Sequence, residues 1–165
     1  MVKQPKIRTI LYATDLGDHM RPVFWHALQL AKLHKGRIIM LHVIEPLSGT
    51  GLAVLDLYLS AKKREQMQQD GMKKILDTMR ARLDQFCLEE LGDSPEDSPM
   101  VSDVVVHVGR AGDEIPRQAQ DKEADLIVLG TCSHGLLGRG LLGSTAARVV
   151  QTSRVPVFVV PNCHE

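Results

Sequence analysis

The chain has 165 residues, enough for one substantial hydrophobic core, so a single domain over 1–165 is expected. Its 20 lysines and arginines balance its 20 aspartates and glutamates, which argues against nucleic-acid or acidic-membrane binding driven by net charge. No run of about 18 apolar residues occurs, so no membrane span is expected.

Residues 1–6 carry basic side chains without an apolar signal core behind them, and a cytoplasmic location is the expectation. The three cysteines, Cys87, Cys132 and Cys163, are odd in number and form no CxxC pair, so they are read as free thiols in a reducing compartment. None of the seven histidines falls in a metal-binding spacing such as HExxH, so no metal site is read from them.

Residues 7–13 form a short apolar run that ends at Thr14-Asp15, which reads as a buried strand followed by a loop. Asp18 is placed to cap the next helix, with Pro22 in or near its first turn. Val23, Ala27, Leu30 and Ala31 share one helical face, and Gly36 ends the helix. Residues 37–43 are the second strand. After an apolar stretch over 47–56 without clear period, 57–91 reads as a long helix, with Met72, Ile75, Leu76, Met79, Leu83 and Phe86 at helical spacing. Its first half, with Lys62-Lys63-Arg64-Glu65, is polar and expected to be solvated. Residues 92–99 are a loop of turn-forming residues.

Residues 102–108 are the third strand, Asp113 caps the following helix, and Pro116 falls in its first turn. Residues 126–129 are the fourth strand, 143–153 a helix and 155–160 the last strand. The strands are apolar nearly throughout rather than alternating. That marks a five-stranded parallel α/β sheet with helices on both faces. Such sheets bind ligands beyond the carboxyl ends of their strands, where strand order reverses.

Two loops follow carboxyl ends. One carries Thr14-Asp15. The other starts at Gly130-Thr131-Cys132-Ser133 and reaches Gly143-Ser144-Thr145 after nine intervening residues. Glycine allows close backbone approach to a ligand. The hydroxyls add donors, and the helix N-terminus offers N–H groups and a favourable dipole, which together suit a phosphate. A Walker A loop is excluded, because the chain contains no Lys-Ser or Lys-Thr. A dinucleotide fingerprint occurs literally over 138–143, but too far beyond the strand end and without the acid that should hold a ribose. Ser133-His134 has no nucleophile elbow around it, so a serine hydrolase is not the reading. His134 is read as a phosphate contact or as an exposed loop histidine, and Cys132 as a plain loop residue or as a thiol that senses oxidants.

The spacing Gly130, Ser133, Gly143-Ser144 resembles the nucleotide-binding signature of the universal stress protein family. Ile10-Leu11-Tyr12-Ala13-Thr14-Asp15 is similar to that family's first strand and acidic loop. Leu41-His42-Val43-Ile44-Glu45 is similar to the end of its second strand. Residues 141–146 and 155–160 are similar to its last helix and strand, so the resemblance spans essentially the whole chain. Two departures stand out: Ser133 replaces the family's usual second glycine, and Ala13 stands where many relatives carry proline.

The resemblance implies strand order 3-2-1-4-5 and a stress-response protein that binds ATP, with Mg²⁺, as a regulator or adaptor. Val43 would line the adenine pocket and Asp15 would face the ribose or a metal. Gly130, Ser133, Gly143, Ser144 and Thr145 would cradle the phosphates, with Ala13, Thr14 and His134 beside them. The resemblance allows slow ATP hydrolysis or autophosphorylation at most, because no general base or phosphate lysine stands out. In that order the last strand is a sheet edge. Val155, Val157, Phe158 and Val159 would then form a homodimer interface, paired antiparallel about a two-fold axis. The alternative is a dimeric interaction module that binds no nucleotide, which Ser133 favours.

Overall fold

The computed structural model describes residues 4–46, 57–86, 100–132 and 142–163. The strands are β1 (Thr9–Ala13), β2 (Arg37–Ile44), β3 (Val101–Val108), β4 (Leu126–Gly130) and β5 (Val157–Val160). The helices are α1 (Arg21–His34), α2 (Ala61–Phe86), α3 (Ala111–Asp121) and α4 (Ser144–Thr152). All strand pairs are parallel and the order is β3-β2-β1-β4-β5, as the resemblance implied.

The apolar runs work because alternate residues serve opposite faces of one sheet. Ile10, Tyr12, Ile38, Met40 and Val128 pack with Val23, Phe24, Ala27 and Leu28 of α1 and Met79 of α2. Leu11, Ala13, Ile39, Leu41 and Leu129 pack on the other side with Ile115 and Ala119 of α3 and Ala146 and Val149 of α4. Ile10, Leu11, Ile127 and Val128 have no exposed surface, and burial of each contributes about 2 kcal/mol. Asp125 ties the sheet together at its other end: its Oδ2 accepts from the Arg8 and Thr9 amides at 2.8 and 2.9 Å, fixing the start of β1 beside the start of β4.

Several local expectations are corrected. Asp18 does not cap α1; it opens a 3-10 turn, Asp18–Met20, and no side chain caps either helix start. The left-handed residue that ends α1 is Lys35 (φ 52°), not Gly36. Gly36 is needed for another reason: a Cβ there would lie 2.8 Å from the Arg8 carbonyl oxygen. Asp113 lies in the first turn of α3 without capping it, and its carboxylate instead accepts from Arg148 Nε of α4 at 2.9 Å. Pro116 sits inside α3 rather than in its first turn.

In the long helix, Met79 is buried and Ile75 and Leu83 pack against the core, while the N-terminal half is mostly exposed. The stretches 47–56 and 92–99 lie outside the described residues. β5 begins at Val157, so Val155 precedes the edge strand. No described helix is long and apolar enough to cross a membrane.

Candidate functional site

β1 pairs with β2 on one side and β4 on the other, so strand order reverses between β1 and β4. The loops that leave their carboxyl ends splay to either side of a crevice. A cavity of about 110 Å³ lies there, and Ala13, Thr14, Asp15, Val43, Gly130, Gly143 and Thr145 all line it. Ser144 is the first residue of α4 and exposed, and it is not among the residues lining the cavity. Ser133 and His134 lie outside the described residues.

The acidic loop is built by its own side chains. Thr14 Oγ1 accepts from the Leu16 amide at 3.0 Å, and Asp15 Oδ1 accepts from the Gly17 amide at 2.9 Å. Between them Leu16 adopts φ 69°, a left-handed conformation that is costly for a branched residue. Asp15 Oδ2 meets His19 Nε2 at 3.1 Å, and the Asp15 side chain keeps 29% of its surface exposed. His42 Nδ1 lies 2.9 Å from the Thr14 carbonyl oxygen, and the Thr14 amide donates to the Leu41 carbonyl at 2.9 Å, binding this loop to β2. Asp15 thus orders its own turn and still presents a carboxylate to the cavity. It is the one carboxylate among the described lining residues. Behind the loop, burial keeps the Tyr12 phenol protonated far above its ordinary range, with the charge of Asp15 adding to the effect and a Thr14 hydrogen bond opposing it. Its hydroxyl donates to the Met20 carbonyl at 3.2 Å.

The opposite wall is the start of α4. Gly143 is its N-cap, and its amide donates to the Thr131 carbonyl at 2.8 Å. A Cβ on Gly143 would lie 2.7 Å from that same oxygen, so glycine permits the close approach. Among the described residues no side chain caps the start of α4. The first amides of a helix have no intrahelical acceptor, so this end of α4 offers N–H donors and the positive end of a dipole to the cavity.

Two features escaped the sequence reading. Cys132 lines the cavity and is joined to Cys163 by a disulfide, with Cα atoms 5.6 Å apart, which corrects the expectation of free thiols for these two; Cys87 lies outside the described residues. The register explains it: Gly130 of β4 pairs with Val160 of β5, so the residues leaving the two strands emerge side by side. Asn162, only 1% exposed, fills the space between them. Its Oδ1 accepts from the Cys132 amide at 2.9 Å and the Thr131 hydroxyl at 3.3 Å. Its Nδ2 lies 3.4 Å from the His19 carbonyl oxygen and 3.3 Å from Met20 Sδ, so one side chain bridges both walls. Only the turn-forming pair Pro161-Asn162 after the last apolar run hinted at this role.

A doubly wound parallel α/β architecture with a lined crevice at its switch point is therefore the class this chain falls in. The model of the universal stress protein family matches residues 6–161, and the chain belongs to that family. It is 27% identical to universal stress protein MJ0577 of Methanocaldococcus jannaschii over 159 residues, covering 93% of this chain and 94% of that one. It is 29% identical over 154 residues to a universal stress protein of Thermus aquaticus, covering 93% and 98%. The solved structure of MJ0577 superposes with a TM-score of 0.66 at 23% identity, covering 96% of this chain and 98% of that chain. A universal stress protein solved in complex with cAMP gives a TM-score of 0.62 at 20% identity, covering 96% and 99%.

Proposed function

We propose that this chain is one nucleotide-binding domain that holds an adenine nucleotide, ATP with Mg²⁺, in the crevice between β1 and β4. It would act in the cytoplasm as a regulator or adaptor in a stress response. The observation that carries this reading is that Asp15 and the uncapped start of α4 face one cavity from opposite walls. Val43 then lies against the adenine. Gly130, Gly143 and Thr145 surround the phosphates, the Ser144 amide reaches them from the helix start, Ala13 and Thr14 lie beside them, and Ser133 and His134 would complete the site. A magnesium ion held mainly by phosphate oxygens and water needs one or two protein carboxylates, and Asp15 supplies one. The cAMP complex of one structural relative supports an adenine-bearing ligand.

The chain works as a homodimer through the β5 edge. β5 ends the sheet, and Phe158 leaves 38% of its surface exposed there, against the His26 ring at a centroid distance of 5.8 Å. Val155, Val157 and Val159 are half-buried against the α3–α4 side of the sheet, so they support the edge rather than project from it.

One observation favours the second reading, a dimeric module without nucleotide. The cavity of about 110 Å³ is small beside the roughly 300 Å³ or more of ordinary ligand sites. Calorimetric titration with ATP and Mg²⁺ separates the two: saturable heat supports the first, and its absence with a dimer in sedimentation supports the second.

A further inference from the structure

We propose that Cys132 and Cys163 form a redox-active site: a reversible disulfide that takes hydroperoxides as oxidant and fastens Thr131-Cys132, which leave β4, to the segment leaving the last strand. The proposal stands on three placements. First, the two Cα atoms are 5.6 Å apart, a span that a disulfide bridges without backbone movement. Second, Cys163 is exposed and Cys132 half-buried, so small oxidants and thiols reach the pair. Exposed disulfides are the ones that exchange readily, in contrast to buried structural ones. Third, Cys132 lines the cavity, and its neighbour Thr131 holds the Gly143 amide at 2.8 Å. A restraint on Cys132 is thus passed through one residue to the start of α4.

One cysteine thiolate attacks the terminal peroxide oxygen, the O–O bond breaks, and the alkoxide or hydroxide expelled takes up a proton from water to leave as alcohol or water, giving a sulfenic acid. The second thiolate attacks that sulfur and expels hydroxide, which takes up a proton to leave as water. Two thiols and one hydroperoxide become one disulfide, one alcohol and one water. A small dithiol reverses the step by exchange, and is itself oxidised to its disulfide. The Thr131 hydroxyl lies 3.4 Å from Cys163 Sγ and 3.9 Å from Cys132 Sγ, close enough to donate to a thiolate when the bond opens.

With the bond closed, the loop entry is held by the disulfide, by Asn162 Oδ1 on the Cys132 amide, and by the Thr131 amide on the Val160 carbonyl at 3.0 Å. Opening the bond removes the covalent member of that set. Thr131 and Cys132 then sample more conformations, and a phosphate group bound at the start of α4 must order them first. The closed form therefore binds the tighter. This last step rests on the nucleotide reading above; the redox site itself does not.

The test uses the full chain in three states: treated with hydrogen peroxide, treated with dithiothreitol, and reduced then re-oxidised. Peptide mass mapping after alkylation is expected to find Cys132 linked to Cys163 in the first and third states and both alkylated in the second. Amide exchange at Thr131 and Cys132 is expected to be about tenfold faster in the reduced state, and ATP affinity about tenfold weaker. Cys163→Ser should show the reduced behaviour under peroxide. A pair that does not close with peroxide or open with dithiothreitol overturns the proposal. So does exchange at Thr131 and Cys132 that is the same in both states. If exchange responds to redox state but ATP binds neither form, the redox site stands and the nucleotide reading fails. If ATP binds both forms equally, the coupling between them is overturned.

Discussion

Replacing Asn162 with alanine removes the side chain that joins the two walls of the crevice, and the structure sets the size of the effect. The Oδ1 contact to the Cys132 amide, at 2.9 Å, is a full-strength hydrogen bond; the others, at 3.3–3.5 Å, are weak. Leaving that amide without its acceptor costs about 1–3 kcal/mol, and the hollow left by a side chain only 1% exposed adds about 1 kcal/mol more. The sum, about 2–4 kcal/mol, corresponds to a fall in Tm of roughly 5–15 °C for a domain of this size. Gly130→Ala probes the same contact from the other side, since its Cβ would lie 2.5 Å from Asn162 Nδ2. Because both changes act on one contact, they must not add: Gly130→Ala should be nearly harmless once Asn162 is alanine, with a coupling of about 1–3 kcal/mol. Urea denaturation of the four proteins in this cycle, all oxidised, measures it. An Asn162→Ala variant within about 0.5 kcal/mol of the parent, or strictly additive changes, would refute the reasoning.

Gly143→Val should abolish ATP binding in calorimetry, and because its Cβ meets the Thr131 carbonyl at 2.7 Å it should also lower Tm by several degrees, with Gly143→Ala intermediate in both. Phe158→Lys places a charge on the exposed edge of β5 and should convert a dimer to a monomer in sedimentation without loss of Tm for the monomer; a dimer indifferent to the lysine puts the interface elsewhere. Asp113→Ala breaks the 2.9 Å pair with Arg148, whose side chains are 44% and 57% exposed, and should change stability by less than about 0.5 kcal/mol in urea denaturation. Tyr12→Phe removes the 3.2 Å bond to the Met20 carbonyl and should cost about 1 kcal/mol by the same assay.

The sheet was readable because burial on both faces leaves a continuous apolar run, and Ile10-Leu11-Tyr12-Ala13 does divide between the two cores. The two loops at the switch point were readable because glycines and hydroxyls cluster where backbone must approach closely. Helix starts were less so: Asp18 and Asp113 are good capping residues by type, but a 3-10 turn and a pairing with Arg148 took them instead. The end of α1 misled because Lys35 accepts the left-handed conformation while Gly36 is required by the Arg8 carbonyl, a contact between residues far apart in sequence. The Cys132–Cys163 pair, and all of Asn162's role beyond the turn signal of Pro161-Asn162, were hidden for the same reason. Their partners are set by the β4–β5 register, which no local pattern encodes.

The central claim is that the crevice between β1 and β4 holds an adenine nucleotide on the start of α4. Calorimetric titration of the oxidised chain with ATP and Mg²⁺, repeated on Gly143→Val, tests it most directly. The account predicts saturable binding at one nucleotide per chain with a matching rise in Tm, and loss of both in the variant. No heat and no thermal shift at millimolar ATP, or binding that Gly143→Val leaves intact, would contradict it.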